Sequence, residues 1–234
     1  MFKINISNKE GKTYKFELEN EELVGKELHD KVKGQDILPS LEGYELEAVS
    51  YLYGQKHSKE IECAKKVAEK LNIPHTIVDM FFLGSLLNSA LTNTDEQIPE
   101  GHYEAENMKR TVVPNRNMMM ATIAHAIGYS KGIKNIALGV HAGDHTVYPD
   151  CRPIFIEKLQ SLLQTSNADD EIKVITPFLN IDKIDILRIG LKLDVIYGDT
   201  WTCYKGEEKP CGKCGSCVER AEAFAKCKAR DFSY

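Results

Sequence analysis

Hydrophobic residues fall into two registers along this chain. Near the start they alternate: Phe2, Ile4 and Ile6, then Tyr14, Phe16 and Leu18, with Asn8-Lys9-Glu10-Gly11 between them. Period-two patterning around a turn signal predicts a β-hairpin. A polar segment follows, with turn residues at Lys33-Gly34-Gln35-Asp36 and Leu38-Pro39-Ser40. From Glu45 the pattern changes. Leu46 to Gly54 is a short apolar run ending in glycine, as in a buried parallel strand. Ser58 to Asn72 places Ile61, Ala64, Ala68 and Leu71 on one helical face, with Ser58 as candidate N-cap. Further strands are predicted over Pro74 to Val78, Asn135 to Val140 and Ile172 to Thr176. Helices are predicted over Met118 to Gly128, Pro153 to Leu163 and Asp182 to Lys192. Alternating strands and helices predict an α/β fold, a parallel sheet with helices on both faces.

Composition narrows the class. The chain has 234 residues, enough for one α/β body with a small attachment. Hydrophobic residues make up 42% and charged residues 28%, which are the values of a globular chain. A formal net charge of −5 disfavours a general nucleic-acid surface and favours a small-molecule enzyme. The longest apolar stretch, Met80 to Leu91, is broken by Gly84, Ser85 and Asn88 and is too short to span a bilayer. Met1-Phe2-Lys3-Ile4-Asn5 does not resemble a signal peptide, so a cytoplasmic chain with reduced thiols is expected. The patterning divides the chain into a β-rich head (1–44), an α/β body (45–200) and a C-terminal lobe (201–234).

That lobe carries four clustered cysteines, Cys203, Cys211, Cys214 and Cys217. The last three repeat at C-x-x-C spacing, so one glycine-containing knuckle can present three thiolates while a neighbouring loop adds the fourth. Four thiolates at tetrahedral geometry form a closed structural zinc site that activates no water. An iron–sulfur cluster is the competing reading. Seven cysteines is an odd number, which argues against a full disulfide framework. Cys63 falls on the predicted amphipathic helix and is expected in the core. Cys227 has no assigned role, and Cys151 lies within a loop motif.

Ligands of open parallel sheets bind beyond the carboxyl ends of the strands. The residues there are unusual: Tyr53-Gly54-Gln55-Lys56-His57, Pro114-Asn115-Arg116-Asn117, Gly139 to Asp144, Tyr148 to Pro153, and Thr176-Pro177 with Lys183. Arg116 and Arg152 are fixed cations with the planar fork that grips phosphate or carboxylate. Lys183 lies near a predicted helix N-terminus, where anions already bind well. Asp144 and Asp150 are suited to Mg²⁺ or to accepting hydrogen bonds from a base. Taken singly, each is most often a solvated loop residue; their convergence at strand ends favours a site.

In this order, Y-G-Q-K-H, V-P-N-R-N, L-G-V-H-A-G-D, Y-P-D-C-R-P, T-P with Lys183, W-T-C-Y and C-G-K-C-G-S-C resemble the QueC family of 7-cyano-7-deazaguanine synthases over about residues 45–234. The terminal D-F-S-Y also resembles the family's ending. The resemblance implies an adenine-nucleotide α-hydrolase-like (ATP pyrophosphatase) fold. It implies adenylation of 7-carboxy-7-deazaguanine by ATP, amide formation with ammonia, and dehydration of the amide to the nitrile. It further implies Mg²⁺ with ATP, structural Zn²⁺ on Cys203, Cys211, Cys214 and Cys217, and a homodimer without membrane or nucleic acid. On this resemblance Lys183, Asp144 and Arg152 are the catalytic positions. Tyr53, Gln55, His57, Arg116, Asn117, Gly139, Tyr148 and Asp150 are the substrate- and nucleotide-binding positions.

One motif of that family is absent. No S-G-G occurs in the chain, so the glycine-rich S-G-G-x-D-S loop that cradles ATP phosphates has no counterpart. Its nearest echo, Lys33-Gly34-Gln35-Asp36, has one glycine and no serine. Residues 1–44 instead resemble the N-terminal segment of an archaeal- or eukaryotic-type small-subunit ribosomal protein, in F-K-I-N-I-S, G-K-T-Y-K-F-E-L-E, L-V-G-K-E-L and L-E-G-Y. Two alternatives therefore stand beside the synthase: a pseudoenzyme or ligand-binding remnant, and a ribosome- or RNA-associated fusion. Against the last, Glu10, Glu17, Glu19, Glu21, Glu22 and Glu27 offset the lysines of the head, whereas nucleic-acid readers need a basic footprint.

Overall fold

The computed structural model describes the backbone of residues 2–7 and 13–18, and then residues 45–93, 95–102 and 105–233. Strands β1 (Phe2–Ser7) and β2 (Thr13–Leu18) pair antiparallel with Ile4 opposite Phe16, as alternation predicts. The turn at Asn8 to Gly11 and the turn signals between Lys33 and Ser40 lie outside the described residues.

Two parallel strand pairs follow. Strand β3 (Ala48–Leu52) leads into helix α1 (Lys59–Lys70) and returns as β4 (His75–Asp79), with Ala48 opposite His75 and Leu52 opposite Asp79. After helix α2 (Arg116–Tyr129), strand β5 (Ile136–Ala137) leads through helix α3 (Pro153–Asn167) to β6 (Val174–Ile175), again parallel. Helices α4 (Lys183–Lys192) and α5 (Gly215–Cys227) complete the chain and pack on each other. Among the described residues the two parallel pairs are not hydrogen-bonded to each other, so the predicted single sheet is present as two pieces.

Strands and helices differ from their predicted limits for local reasons. Asn135 to Val140 contributes only two strand residues; the last rung is Leu138 N–H donating to the Ile175 carbonyl at 2.9 Å, and Val140 enters the core as loop. Ser58 stands at the N-cap of α1 but makes no side-chain cap; its carbonyl accepts from Ile61 and Glu62 instead. Of the predicted face of α1, Ile61 and Ala68 are buried, whereas Leu71 is 63% exposed because the helix has ended and the chain reverses through Asn72 at φ 53°. Asn115, at φ 56°, turns the chain into α2, a conformation asparagine tolerates better than most residues. Pro153 opens α3 with its φ already helical. Asp182 caps α4 by accepting from Asp185 N–H at 2.9 Å.

The main core lies where α2, α3, β5 and β6 meet, around Met108, Ala121, Leu159, Leu163, Ile172 and Val174. Each fully buried aliphatic side chain here stabilises the fold by about 1.5–3 kcal/mol. A second cluster mixes Leu91, Ile98 and Val113 with Cys203, Cys214 and Cys217, so the cysteine lobe shares core with the body. A third joins Leu187 of α4 to Ala223 and Phe224 of α5. Buried Arg220 ties the C-terminus down, donating to both Asp231 carboxylate oxygens, the Tyr197 carbonyl and the Ser233 hydroxyl. No helix among the described residues is long and apolar enough to cross a membrane.

Candidate functional site

A cavity of about 440 Å³ opens beyond the carboxyl end of β3. That is the volume class of small-molecule sites. Its apolar wall includes Tyr51, Ile61, Leu91, Met120 and Trp201, and its polar lining includes Gln55, His57, Glu60, Arg116, Asn117 and Tyr204. The strand can end here because Gly54, at φ 83°, lies against the backbone of Gly84, where a Cβ would collide. Gln55 then braces the turn: its carbonyl oxygen accepts from Tyr53 N–H at 2.8 Å, and its amide donates to the Tyr51 carbonyl at 3.1 Å and to Glu60 at 3.3 Å. His57 Nδ1 sits 3.0 Å from Glu60, with its ring edge-on to Trp201. Burial alone would lower the His57 pKa, but the Glu60 carboxylate outweighs it and the net shift is upward.

Arg116 supplies the electrostatic centre of this cavity. It is the first residue of α2, and its buried guanidinium hydrogen-bonds to Tyr53 with Tyr148 and Tyr204 nearby. It also lies over the Tyr148 ring, 6.0 Å from the centroid. Burial opposes the charge, yet the neighbouring tyrosines, Tyr53 first, raise its pKa further, so Arg116 stays a cation. Burial likewise raises Tyr53 and Tyr204, keeping both phenols protonated. Tyr148 shares hydrogen bonds with Thr111 at 2.7 Å and Tyr204 at 3.4 Å, which fixes the cage. Among the described residues no carboxylate lies within ion-pair distance of Arg116.

The other sequence-derived positions are placed differently. Asn117 N–H donates to the Asp150 carboxylate at 3.0 Å, and the Asn117 amide donates to the Asp150 carbonyl and to Cys151 Sγ, each at 3.2 Å. Asp150 thus anchors the start of α2. Cys151 is buried and its thiol is pushed up to about 12, so it is no nucleophile at neutral pH. Arg152 is exposed and donates to the His145 carbonyl at 2.8 Å; it is not brought into the cavity. Gly139 is exposed, with open space where a Cβ would stand. Asp144 lies 3.4 Å from His141 Nε2, and burial lowers the His141 pKa despite that carboxylate. Lys183, the first residue of α4, is ion-paired with Glu219 of α5.

The four predicted cysteines converge. Their sulfur atoms all lie within 4.8 Å of one another, and Cys211 Sγ is 3.9 Å from Cys217 Sγ. A tetrahedral ion with metal–sulfur bonds of about 2.3 Å holds its sulfurs about 3.8 Å apart, so a single ion fits. A cubane cluster would have to spread the same sulfurs farther. None of the seven cysteines is in a disulfide. Backbone N–H groups of Lys205 and Cys211 point at Cys203 Sγ, and those of Lys213 and Cys214 at Cys211 Sγ, as thiolate ligands require. Hydrogen bonds from Cys214 and Cys217 draw the Cys203 thiol far below its usual range, and the same contacts drive Cys214 up.

Sequence reasoning missed several participants. Trp201 and Tyr204 flank Cys203 and line the cavity, so the segment that delivers a metal ligand also forms a wall. Their position beside Cys203 in W-T-C-Y was the available signal. Glu219 lies two residues past Cys217 and gave no signal, because exposed and buried glutamates look alike in sequence. Cys227, without a predicted role, packs against α4 with its thiol 3.7 Å from the Ile184 carbonyl; Cys63 is half-buried.

Comparison with known proteins places the chain. A family model described as "Queuosine biosynthesis protein QueC" matches residues 37–228. The 7-cyano-7-deazaguanine synthase of Hahella chejuensis is 54% identical over 192 residues, covering 81% of this chain and 82% of the relative. That of Caldicellulosiruptor bescii is 50% identical over 190 residues, covering 81% and 86%. That of Methanoregula boonei is 46% identical over 190 residues, covering 81% and 87%. The family implies an adenine-nucleotide α-hydrolase-like α/β fold, and the two parallel strand pairs with their helices agree with it. With four-fifths of its length matched, and with a cationic cavity beside a four-cysteine site, the chain belongs to the QueC family.

Proposed function

We propose that this protein converts 7-carboxy-7-deazaguanine, ammonia and ATP into 7-cyano-7-deazaguanine, through an adenylated acid and then the amide. The observation that carries this is Arg116: a caged cation with no carboxylate partner among the described residues, in a cavity sized for a fused-ring heterocycle. A carboxylate substrate supplies the missing counter-ion. Tyr51, Met120 and Trp201 supply apolar surface for the rings, and Gln55, Asn117 and Tyr204 supply polar edges.

The chemistry needs help at two points. A carboxylate is a poor electrophile until AMP is attached, so ATP and acid must be held in line. Charge on the departing pyrophosphate must then be neutralised. Lys183, at the start of α4, is the residue we assign to that task, with Mg²⁺ carried by the nucleotide and Asp144 beside it. Arg152 has a supporting part, through its hold on the His145 carbonyl. The cysteine site holds Zn²⁺ in this reading. With no open coordination position the ion is structural, fixing Trp201 to Tyr204 as cavity wall. The chain is read as head, α/β body and cysteine lobe, acting as a cytoplasmic homodimer.

A second reading rests on one specific observation, the absence of S-G-G-x-D-S from the sequence. In that reading the cavity binds a deazapurine but ATP is not cleaved. Release of AMP with formation of the nitrile separates the two: the synthase gives both, the remnant neither.

A further inference from the structure

Three segments converge beside the four-cysteine site: the loop after β5, the start of α4 and helix α5. Lys183 begins α4, where the helix dipole is positive and a cation is disfavoured unless an anion offsets it. Asp182 at the N-cap and Asp185 in the first turn already supply anions there, yet the ion pair of Lys183 crosses to another helix: Glu219 of α5 pairs with it through Oε2. Both side chains are largely buried, at 24% and 16% exposure, so the pair is not a solvated surface contact. The other carboxylate oxygen faces the loop after β5, since a Cβ built on Gly143 would lie 2.9 Å from Glu219 Oε1 and 3.0 Å from His141 Cε1. A side chain at residue 143 would push Glu219 away. The same loop is tied to the approach of α4 by Ala142 N–H donating to the Ile181 carbonyl at 2.9 Å. Helices α4 and α5 are locked by Leu187, Ala223 and Phe224.

We propose that Glu219 is a positioning residue: it holds the Lys183 ammonium at the start of α4 beside the loop after β5, from a helix whose own start carries Cys214 and Cys217. The role of Lys183 in turnover rests on the synthase reading above; its placement by Glu219 does not. Exposed ion pairs contribute little, but a largely buried pair sets where a flexible lysine points.

The test uses the full-length, metal-loaded protein and the variants Glu219→Gln and Glu219→Asp. Each is acylated briefly with an N-hydroxysuccinimide acetate, and the Lys183 peptide is quantified by mass spectrometry, with exposed Lys158 as internal reference. Glu219→Gln is expected to raise Lys183 acylation relative to Lys158 by roughly fivefold, and Glu219→Asp to restore part of the protection. Metal content should match the wild type. In turnover, kcat should fall roughly 10- to 100-fold, with KM for 7-carboxy-7-deazaguanine nearly unchanged, because misplacing one group affects the transition state more than acid binding. Wild-type Lys183 labelling in metal-loaded Glu219→Gln would overturn the proposal whatever the kinetics. If the wild type makes no product, the synthase reading fails, and labelling alone decides the placement.

Discussion

A guanidinium among phenols keeps its charge, and among the described residues Arg116 has no carboxylate counter-ion. The Tyr53 oxygen accepts from it, and Tyr148 and Tyr204 hydrogen-bond to each other beside it, without neutralising it. The account predicts that Arg116→Ala weakens binding of 7-carboxy-7-deazaguanine by at least about tenfold, consistent with about 1.5–3 kcal/mol for a hydrogen bond to a charged group. Calorimetric titration measures this, and an unchanged melting temperature shows that the fold is intact. Unaltered affinity would mean that Arg116 does not meet the acid. At this scale the sequence was most informative where chemistry is local. The four cysteines were legible from spacing, and Arg116 from V-P-N-R-N at the start of a helix. Gln55 and Asp150 were legible as polar residues at strand ends but not as braces, because the atoms they hold belong to the backbone and to Asn117. The pairing of Lys183 with Glu219 spans two helices and has no trace in local pattern.

Helix α5 links the four-cysteine site to the rest of the chain. Cys214 stands at its N-cap and Cys217 in its first turn, where N–H groups and helix dipole favour thiolate. Its far end packs on α4 through Ala223 and Phe224. Replacing Cys211 and Cys214 together by Ala should therefore release the metal and unfold the lobe, as metal binding and folding are one equilibrium. The expected signs are loss of stoichiometric zinc by elemental analysis and a clear drop in thermal stability; unchanged stability would contradict a structural ion. Elements with long periodic patterns were read well. α1, α2, α3 and α4 all lie where the apolar spacing put them, to within a few residues. The short ones were not: β5 and β6 have two residues each, too few for a pattern to fix their limits. α5 was obscured because its first turn carries cysteines that read as ligands and not as helix.

At the scale of the molecule, stability should fall on the acid side. Burial holds His125 and His141 below the ordinary histidine pKa, and among the described residues His125 Nε2 is buried without a hydrogen-bond partner. A lowered pKa means that the folded chain binds fewer protons than the unfolded one. The contribution is thus full above the unfolded value of about 6.5 and is lost as pH falls through the lowered folded values. Thermal melting followed from about pH 7.5 down to about pH 5 should show that decline, and His125→Gln should flatten it; an equal slope in the variant would remove His125 from the explanation. The α/β class and the family were legible in strand–helix alternation and in loop motifs. The division of the strands into two unjoined parallel pairs was not, since pairing between distant strands leaves no mark on either alone. The sequence also poses the central question, because it has no S-G-G-x-D-S motif while most of its length matches synthases. The deciding measurement is product analysis of the purified, zinc-loaded chain with ATP, Mg²⁺, ammonium and 7-carboxy-7-deazaguanine. Mass spectrometry should find 7-cyano-7-deazaguanine together with AMP. A folded, metal-loaded protein that binds the acid yet yields neither product would contradict the synthase and leave the ligand-binding remnant.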